Sequence, residues 1–182
     1  MGSRYDDELW ELVPEEPGPP PRQLEDFVRS LGPADSVLDL GCGDGRLTER
    51  IGARELTGAD VSAVALDRAR RRLRDVRLVE LDPDAPLPFE DGEFDLVLCA
   101  ETIEHVRDVQ LFLSEIRRVL RPGGTLALTT PARPPIAGPP NPLSPHLRFF
   151  TKRTFRRLLD ELGFDVRSLE RRAGTLLVRA GR

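Results

Sequence analysis

The stretch Ser36-Val-Leu-Asp-Leu-Gly-Cys-Gly-Asp-Gly45 decides the fold that we expect for this chain. An apolar run ends in three glycines at alternate positions, Gly41, Gly43 and Gly45. Glycine adopts positive φ and lets another backbone or a ligand approach closely, so the stretch predicts a buried strand and a nucleotide-sized turn. The spacing differs from the G-x-G-x-x-G of a pyrophosphate-binding turn. Because Asp39 would repel a phosphate, the turn suits a nucleoside that carries no phosphate and has positive charge.

The composition is that of a soluble globular protein with one domain. Its 182 residues are enough for a single substantial core. The formal net charge of −4 disfavours a general nucleic-acid-binding function, because such proteins carry a basic surface. No apolar run reaches the length of a membrane span, and the first residues lack the pattern of a signal peptide. The two cysteines do not make a disulfide framework, so we expect a cytoplasmic protein.

Strand-like and helix-like segments alternate along most of the chain. Residues 1–21 are acidic and then proline-rich, and we interpret them as an N-terminal arm and linker. Its Tyr5 and Trp10 belong either to an arm that folds over the ligand site or to a disordered tail. Residues 22–182 are predicted to form a single domain. The alternation predicts a doubly wound α/β fold, in which ligands bind at the carboxyl ends of the strands. The predicted strands are 37–40, 55–61, 76–81, 94–100, 125–130, 164–169 and 175–178, and the predicted helices are 24–31, 46–51, 63–73, 106–120 and 151–162.

Acidic residues follow several predicted strands at the point where each strand ends. Asp60 ends the second strand, where a carboxylate accepts hydrogen bonds from both hydroxyls of a ribose in dinucleotide folds. The alternative for Asp60 is a cap on the following helix. Asp82 ends the third strand and is either a partner for an adenine amino group or a turn residue before a proline. Residues 101–105, Glu-Thr-Ile-Glu-His, follow the fourth strand.

These segments together resemble the ordered motifs of class I S-adenosylmethionine-dependent methyltransferases. The resemblance is greatest to the type 11 group, which includes the ubiquinone-biosynthesis O-methyltransferases, and it covers roughly residues 34–170. One such motif would be weak evidence, whereas the ordered set is strong. The motifs are Val37 to Gly45, Leu87-Pro88-Phe89 before Phe94-Asp95-Leu96-Val97, Glu101 to His105, and Leu120-Arg121-Pro122-Gly123-Gly124.

The resemblance implies a three-layer, Rossmann-like sheet of seven strands in the order 3-2-1-4-5-7-6, with the last strand antiparallel. It also implies that S-adenosylmethionine is the cofactor. Asp60 would hold the ribose, with Val61 against the adenine, and Asp82 would bind the adenine amino group beside Pro83. Asp39 and Glu101 would lie near the positively charged methionine end. The implied cofactor-binding residues are Asp39, Gly41, Cys42, Gly43, Asp60, Val61, Asp82, Pro83, Glu101 and Thr102.

His105 is the candidate catalytic residue. One hypothesis makes it the general base for an acceptor hydroxyl, and the other makes it a helix-terminal residue that shapes the pocket. Glu-x-x-Glu-His with a later histidine, here Glu101, Glu104, His105 and His146, also resembles the metal site of small-RNA 3′-terminal 2′-O-methyltransferases. Those four residues would hold Mg²⁺ or Mn²⁺, although the same pattern is common in the type 11 group without a metal.

The leading functional hypothesis is methyl transfer to a small-molecule or carrier-bound acceptor, with a hydroxyl preferred over nitrogen or carbon. The acceptor would lie between the N-terminal arm and the proline-rich loop 131–148, and the protein would be a monomer or a homodimer. The alternatives are a metal-dependent sugar-hydroxyl methyltransferase and a non-catalytic scaffold that binds S-adenosylmethionine. A nucleic-acid acceptor is disfavoured by the acidic charge, and an NAD-dependent oxidoreductase is disfavoured by the glycine spacing and Asp39.

Overall fold

Residues 3–132 and 147–182 are described by the computed structural model of this chain. They form a seven-stranded sheet in the order β3-β2-β1-β4-β5-β7-β6, so the predicted strand order is confirmed. The strands are β1 (Ala34–Leu40), β2 (Ala53–Asp60), β3 (Arg77–Glu80), β4 (Phe94–Ala100), β5 (Leu120–Pro131), β6 (Asp165–Arg172) and β7 (Thr175–Gly181). The helices are α1 (Ser3–Leu12), α2 (Arg22–Arg29), α3 (Ala63–Arg72), α4 (Val109–Val119) and α5 (Lys152–Glu161).

The five strands from β3 to β5 in the sheet order are parallel, and β7, the last strand in the sequence, is antiparallel to its neighbours. Strand β1 pairs in parallel with β2 and with β4, whereas β7 pairs antiparallel with both β5 and β6. The hairpin between β6 and β7 turns at Ala173 and Gly174. Parallel strands end at one common edge, so the loops after β1, β2, β3 and β4 meet there.

Each central strand buries one set of side chains on each face of the sheet. Alternate residues of a strand point to opposite faces, and in β1 Val37 packs with α2 whereas Leu38 packs with α4 and α5. Cys99 of β4 lies in the larger cluster and is fully buried, and both cysteines are free thiols, as expected. The two apolar clusters therefore give the three layers that a covered parallel sheet requires.

Two predicted helices are shorter in the structure. The predicted helix 46–51 is only a 3₁₀ turn at Thr48–Arg50, because few residues separate Gly45 from β2 and a short helix does not repay its nucleation. The helix predicted at 106–120 begins at Val109, because the side chain of Asp108 accepts a hydrogen bond from Leu111 N and caps α4 there. Ser62 caps α3 in the same way, because its side chain accepts a hydrogen bond from Ala65 N.

The N-terminal arm contains a helix that the sequence analysis did not predict. Helix α1 packs against α3, and the proline-rich residues after it lead to α2. None of the described helices combines the length and apolar character needed to cross a lipid bilayer.

Candidate active site

The glycine turn after β1 is held against the end of β2. The backbone N–H groups of Gly41 and Cys42 both donate to Ala59 O, at 2.8 and 3.1 Å. Gly41, Gly43 and Gly45 have φ values of 80°, 55° and 82°, in the left-handed region that favours glycine. The turn that the sequence predicted is thus present, and its backbone conformation requires these residues.

Each glycine of the turn is also covered by a side chain of the protein itself. A Cβ on Gly41 would collide with the side chain of Thr102. One on Gly43 would lie 2.7 Å from Cζ2 of Trp10, and one on Gly45 would lie 2.7 Å from Cδ1 of Leu73. Because glycine has no side chain, these three positions leave room for Thr102, Trp10 and Leu73 to pack against the turn. The sequence alone did not indicate these contacts.

Asp39 is a buried carboxylate in β1, just before the turn. Its Oδ2 accepts a hydrogen bond of 2.6 Å from Thr48 Oγ1, which explains why the short Thr48–Arg50 turn folds back onto β1. Burial raises the pKa of Asp39 to about 7, the Thr48 hydrogen bond opposes the rise, and nearby Asp60 adds to it.

Asp60, the last residue of β2, ties the glycine turn to the start of α3. Its Oδ2 accepts from Gly43 N at 2.8 Å, and its Oδ1 accepts from Ser62 N at 3.0 Å. Burial raises the pKa of Asp60, and these two backbone hydrogen bonds oppose the rise. Because Ser62 is the residue that caps α3, Asp60 has a structural role that leaves further lone pairs on both oxygens.

Glu101 follows β4 in a strained backbone conformation. Its φ is 52°, which is uncommon for a residue with a side chain and is typical of functional sites. Its Oε1 accepts from Thr129 Oγ1 at 2.8 Å. Burial raises the pKa of Glu101 to about 7, and the neighbouring Glu104 adds to the rise. The next residue, Thr102, directs its hydroxyl at the carbonyl oxygens of Ala100 and Leu40.

The carboxylates of Glu104 and Glu101 bind different threonines of β5. Its Oε2 accepts from Thr130 Oγ1 at 3.0 Å, whereas Glu101 is bound to Thr129. Thr129 and Thr130 pair with Leu177 and Leu176, which lie in the two apolar clusters on opposite faces of the sheet. The two carboxylates are therefore held on opposite faces of β5.

The metal alternative gains no support from the described residues. His105 is exposed, with Nε2 at 3.9 Å from Glu104 Oε1, and His146 lies outside the described residues. Within residues 3–132 and 147–182, no group of three potential ligands is placed to hold a metal ion. Glu104 Oε1 is buried and has no hydrogen-bond partner there, and burial raises the pKa of Glu104 to about 6.

Asp82 and Pro83 lie in an exposed turn after β3, beside Asp60. Leu81 N donates to Asp60 O at 2.8 Å, which places the ends of β2 and β3 together. Asp82 Oδ1 accepts from Asp84 N at 2.9 Å, so Asp82 does form the predicted turn, and it remains open to solvent. The acids Asp39, Asp60, Asp82 and Glu101 thus all follow or end strands at the same edge, as the sequence predicted.

Residues missed from the sequence fall into two groups. Thr48 and Thr129 anchor the acids, and a lone threonine in a strand or loop carries no signal for such a role. Asp7 on α1 binds Ser62 at the same edge and was not recognised in advance, whereas the contact of Trp10 with the glycine turn agrees with one of the two interpretations of the arm.

Comparison with known proteins agrees with this geometry. A family model described as a methyltransferase domain matches residues 38–128, from β1 into β5. A probable S-adenosylmethionine-dependent methyltransferase of Mycolicibacterium smegmatis is 39% identical over 136 residues, which cover 71% of this chain and 52% of that relative. The chain thus spans about half the length of that curated relative.

A second relative and a solved structure extend the comparison to most of the chain. An uncharacterized methyltransferase of Synechocystis is 35% identical over 157 residues, which cover 82% of this chain and 71% of the relative. A putative methyltransferase of Bacillus halodurans superimposes with a TM-score of 0.74 at 18% identity and covers 88% of this chain and 99% of its own. At that identity, the structural match supports the fold alone.

Proposed function

This chain belongs to the methyltransferase domain family, and on that premise we propose that it transfers a methyl group from S-adenosylmethionine to a small-molecule acceptor, with a hydroxyl oxygen as the preferred receiving atom. One observation carries the proposal. The carboxylates of Asp39, Asp60 and Glu101 lie beside the glycine turn, and the described part of the chain supplies no arginine or lysine partner for them. The buried carboxylate of Asp44, within the turn, is by contrast paired with Arg46 and Arg72.

The charge imbalance favours a cationic ligand. No Arg or Lys nitrogen in residues 3–132 or 147–182 lies within 4.0 Å of the carboxylates of Asp39, Asp60 or Glu101. The chain has 27 such basic residues, so they are not scarce. Burial of a carboxylate without a counter-charge is unfavourable, and a ligand with positive charge relieves it. S-adenosylmethionine brings both a sulfonium and an α-ammonium group.

In this proposal the cofactor lies along the carboxyl edge of the sheet. Asp60 would hold the ribose and Asp82 the adenine amino group, with Val61 and Pro83 beside the ring. The residues for the methionine end would be Asp39, Gly41, Cys42, Gly43, Glu101 and Thr102. When bound, S-adenosylmethionine supplies an electrophilic methyl group. The protein's own part is then to position the acceptor and exclude water, which accounts for much of such catalysis.

His105 is proposed as the residue that receives a proton from the acceptor hydroxyl. Its imidazole is exposed at the edge of the sheet, and the carboxylate of Glu104 lies on its inner side. The acceptor, whether free or carrier-bound, would then lie on the solvent side of His105.

Calorimetry with S-adenosylmethionine and S-adenosylhomocysteine tests the proposal directly. We expect both to bind, and we expect radiolabelled methyl transfer to at least one member of a panel of phenols, sugars and hydroxy acids. Addition of a chelator is expected to leave turnover unchanged. Binding without transfer to every acceptor in a broad panel would favour the scaffold alternative, and absence of binding would refute the proposal.

A further inference from the structure

We propose that a groove between the start of α4 and the first turns of α5 binds an acidic group of the acceptor, so that the molecule that is methylated is an anion. The inference rests on the proposed function and adds a substrate class to it. The groove has a volume of about 500 Å³, which is in the range of small-molecule sites. It is lined by the basic residues Arg107 and Arg148 and by the apolar residues Val109, Phe150 and Leu158.

The α4–α5 groove lies at the carboxyl edge of the sheet, close to the candidate base His105. Phe150 pairs with Ala132, which directly follows β5. Arg107 is two residues beyond His105, so their Cα atoms are within about 8 Å of each other. Burial raises the pKa of Asp6, and the charges of His105 and Arg107 lower it, so both side chains lie near the same carboxylate.

Arg148 is attached to the loop that carries His105. Leu147 N donates to Glu104 O at 2.8 Å, and Arg148 Nη2 donates to Arg107 O at 2.8 Å. These two hydrogen bonds connect the two sides of the groove. A guanidinium has five N–H donors, so Arg148 keeps further donors for a ligand.

Among the described residues, neither arginine of the groove has a carboxylate partner. No Asp or Glu oxygen in residues 3–132 or 147–182 lies within 4.0 Å of a nitrogen of Arg107 or Arg148. Asp108 also lines the groove, but its Oδ1 accepts a hydrogen bond from Leu111 N and caps α4. Arg118, in the last turn of α4, has by contrast two carboxylate partners.

The positive charge extends from the groove onto α5. Lys152 and Arg153 in the first turn, and Arg156 in the next, are exposed and have no carboxylate within 4.0 Å in the described part of the chain. The whole chain has a net charge of −4, so this group of unpaired basic residues is a local feature. A cleft lined by charge of one sign attracts ligands of the opposite sign.

The charges on the two sides of His105 therefore complement two different molecules. Asp39 and Glu101, without basic partners among the described residues, would face the cationic cofactor. Arg107 and Arg148 would bind a carboxylate or a phosphate group of the acceptor through charge-assisted hydrogen bonds. The apolar lining of the groove would hold the body of the acceptor, with its hydroxyl towards His105.

Three matched probes test the charge preference: 3-hydroxybenzoate, 3-hydroxyphenyl phosphate and the neutral 3-hydroxybenzamide. Each would be titrated into the full chain saturated with S-adenosylhomocysteine and followed by NMR. We expect at least one anion to bind about tenfold or more tightly than the amide, and to shift the signals of residues 107–110, 148–150 and His105. The anion that binds more tightly identifies the acidic group. Equal affinity for all three probes, or signals of the groove or His105 that do not shift, would overturn the inference.

Substitution separates the two arginines from the general charge of the surface. Arg107→Ala and Arg148→Ala should each weaken binding of the preferred anion by about fivefold or more and leave binding of 3-hydroxybenzamide unchanged. Arg157→Ala is the matched control, because it removes one positive charge from α5 at a residue that is paired with Glu161 at 2.7 Å. It should bind the anion as the wild type does. Wild-type affinity for the anion in both Arg107→Ala and Arg148→Ala would overturn the inference.

These results are distinguishable from a failure of the proposed function. Loss of the anion preference in a protein that binds S-adenosylhomocysteine would contradict the anionic acceptor alone. Failure of the wild type to bind S-adenosylhomocysteine would instead refute the proposed function, and the same probes with the cofactor-free protein would still report on the groove.

Discussion

The acidic residues near the two ends of the central strands differ in their hydrogen-bond partners and in their pKa values. At the carboxyl edge, Asp39 is buried and Glu101 is partly buried, each accepts a side-chain hydrogen bond only from a threonine hydroxyl, and the pKa of each is raised to about 7. Near the start of β4, Arg118 binds Glu115 at 2.8 Å and Asp91 at 2.9 Å, and the hydrogen bond from Arg118 lowers the pKa of Glu115. Arginine thus neutralises Glu115 and Asp91 near the start of β4, and Asp44 within the glycine turn, whereas Asp39 and Glu101 at the carboxyl edge have no basic partner among the described residues.

This difference shows where a ligand is needed. Arg118 also donates to the carbonyl oxygens of Leu87 and Phe89, so its group fixes the loop before β4 and serves stability. At the carboxyl edge the acids reduce the stability of the free protein, and such local loss is typical of functional sites. The following four predictions test whether a cationic cofactor completes the carboxyl edge.

The largest effect is expected for His105→Ala. Removal of a general base lowers turnover by about 10²-fold or more, whereas cofactor affinity should stay within about twofold because the acids remain. Steady-state kinetics and calorimetry on the same preparation separate the two quantities. If turnover and affinity fell equally, His105 would be a structural residue rather than a base.

A smaller effect is expected for Asp60→Ala. Loss of one hydrogen-bonding partner of the ribose should weaken cofactor binding by about 1–3 kcal/mol. Glu115→Ala, near the opposite edge, is the control and should leave the affinity unchanged. Calorimetric titration with S-adenosylhomocysteine measures both variants, and an unchanged affinity in Asp60→Ala would refute the ribose assignment.

The third prediction concerns pH. A bound cation favours ionised carboxylates, so binding should lower the pKa of Asp39 and Glu101 from about 7. Below that pH the free protein must first lose protons, and affinity for S-adenosylmethionine should fall by up to about tenfold per pH unit for each group. The fall between pH 8 and pH 6 should be smaller for S-adenosylhomocysteine, which lacks the sulfonium. Equal pH dependence of the two affinities would refute the placement of the sulfonium beside Asp39 and Glu101.

The smallest effect is expected on the stability of the cofactor-free protein. The raised pKa of Asp39 means that its favourable contribution is present below about pH 4 and is lost as the pH rises through about 7. Asp39→Asn should therefore raise the melting temperature by a few degrees, about 2–4 °C per kcal/mol, at pH 8 but not at pH 4.

Glu115 should behave in the opposite sense. Its lowered pKa gives a contribution that is present above the ordinary glutamate pKa and is lost in acid. Glu115→Gln should therefore lower the melting temperature at pH 8 and have less effect at pH 4. Differential scanning calorimetry at the two pH values gives both signs, and the same sign for both variants at pH 8 would contradict the comparison of the two edges.

Much of the sheet and of its acidic edge followed from local patterns. The run that ends in Gly41 predicted β1 and its turn, and β4 was predicted at its observed bounds because both of its faces are apolar. The family resemblance supplied the strand order, which pattern alone does not determine. The prediction of a helix at 46–51 was wrong. The residues favour a helix locally, but the connection between Gly45 and β2 is too short for one, and only a 3₁₀ turn forms.

Other features depended on contacts between distant parts of the chain. Glu101 and Glu104 are close in sequence, yet neighbouring threonines of β5 hold them on opposite faces of the sheet, so the predicted shared metal site is not formed by the described residues. Trp10 reaches Gly43 only because α1 packs on α3. No local pattern records either pairing.

The sequence by itself therefore determined the alternation of strands and helices, the glycine turn and the acids at or after the ends of the first four strands. These features follow from glycine conformation, hydrophobic period and the common edge of parallel strands. Only the tertiary structure decided that Asp39, Asp60 and Glu101 lack basic partners within the described residues, and that α1 packs at the start of α3 beside them. Burial and charge pairing depend on residues that are distant in the sequence, and these residues become neighbours only when the chain has folded.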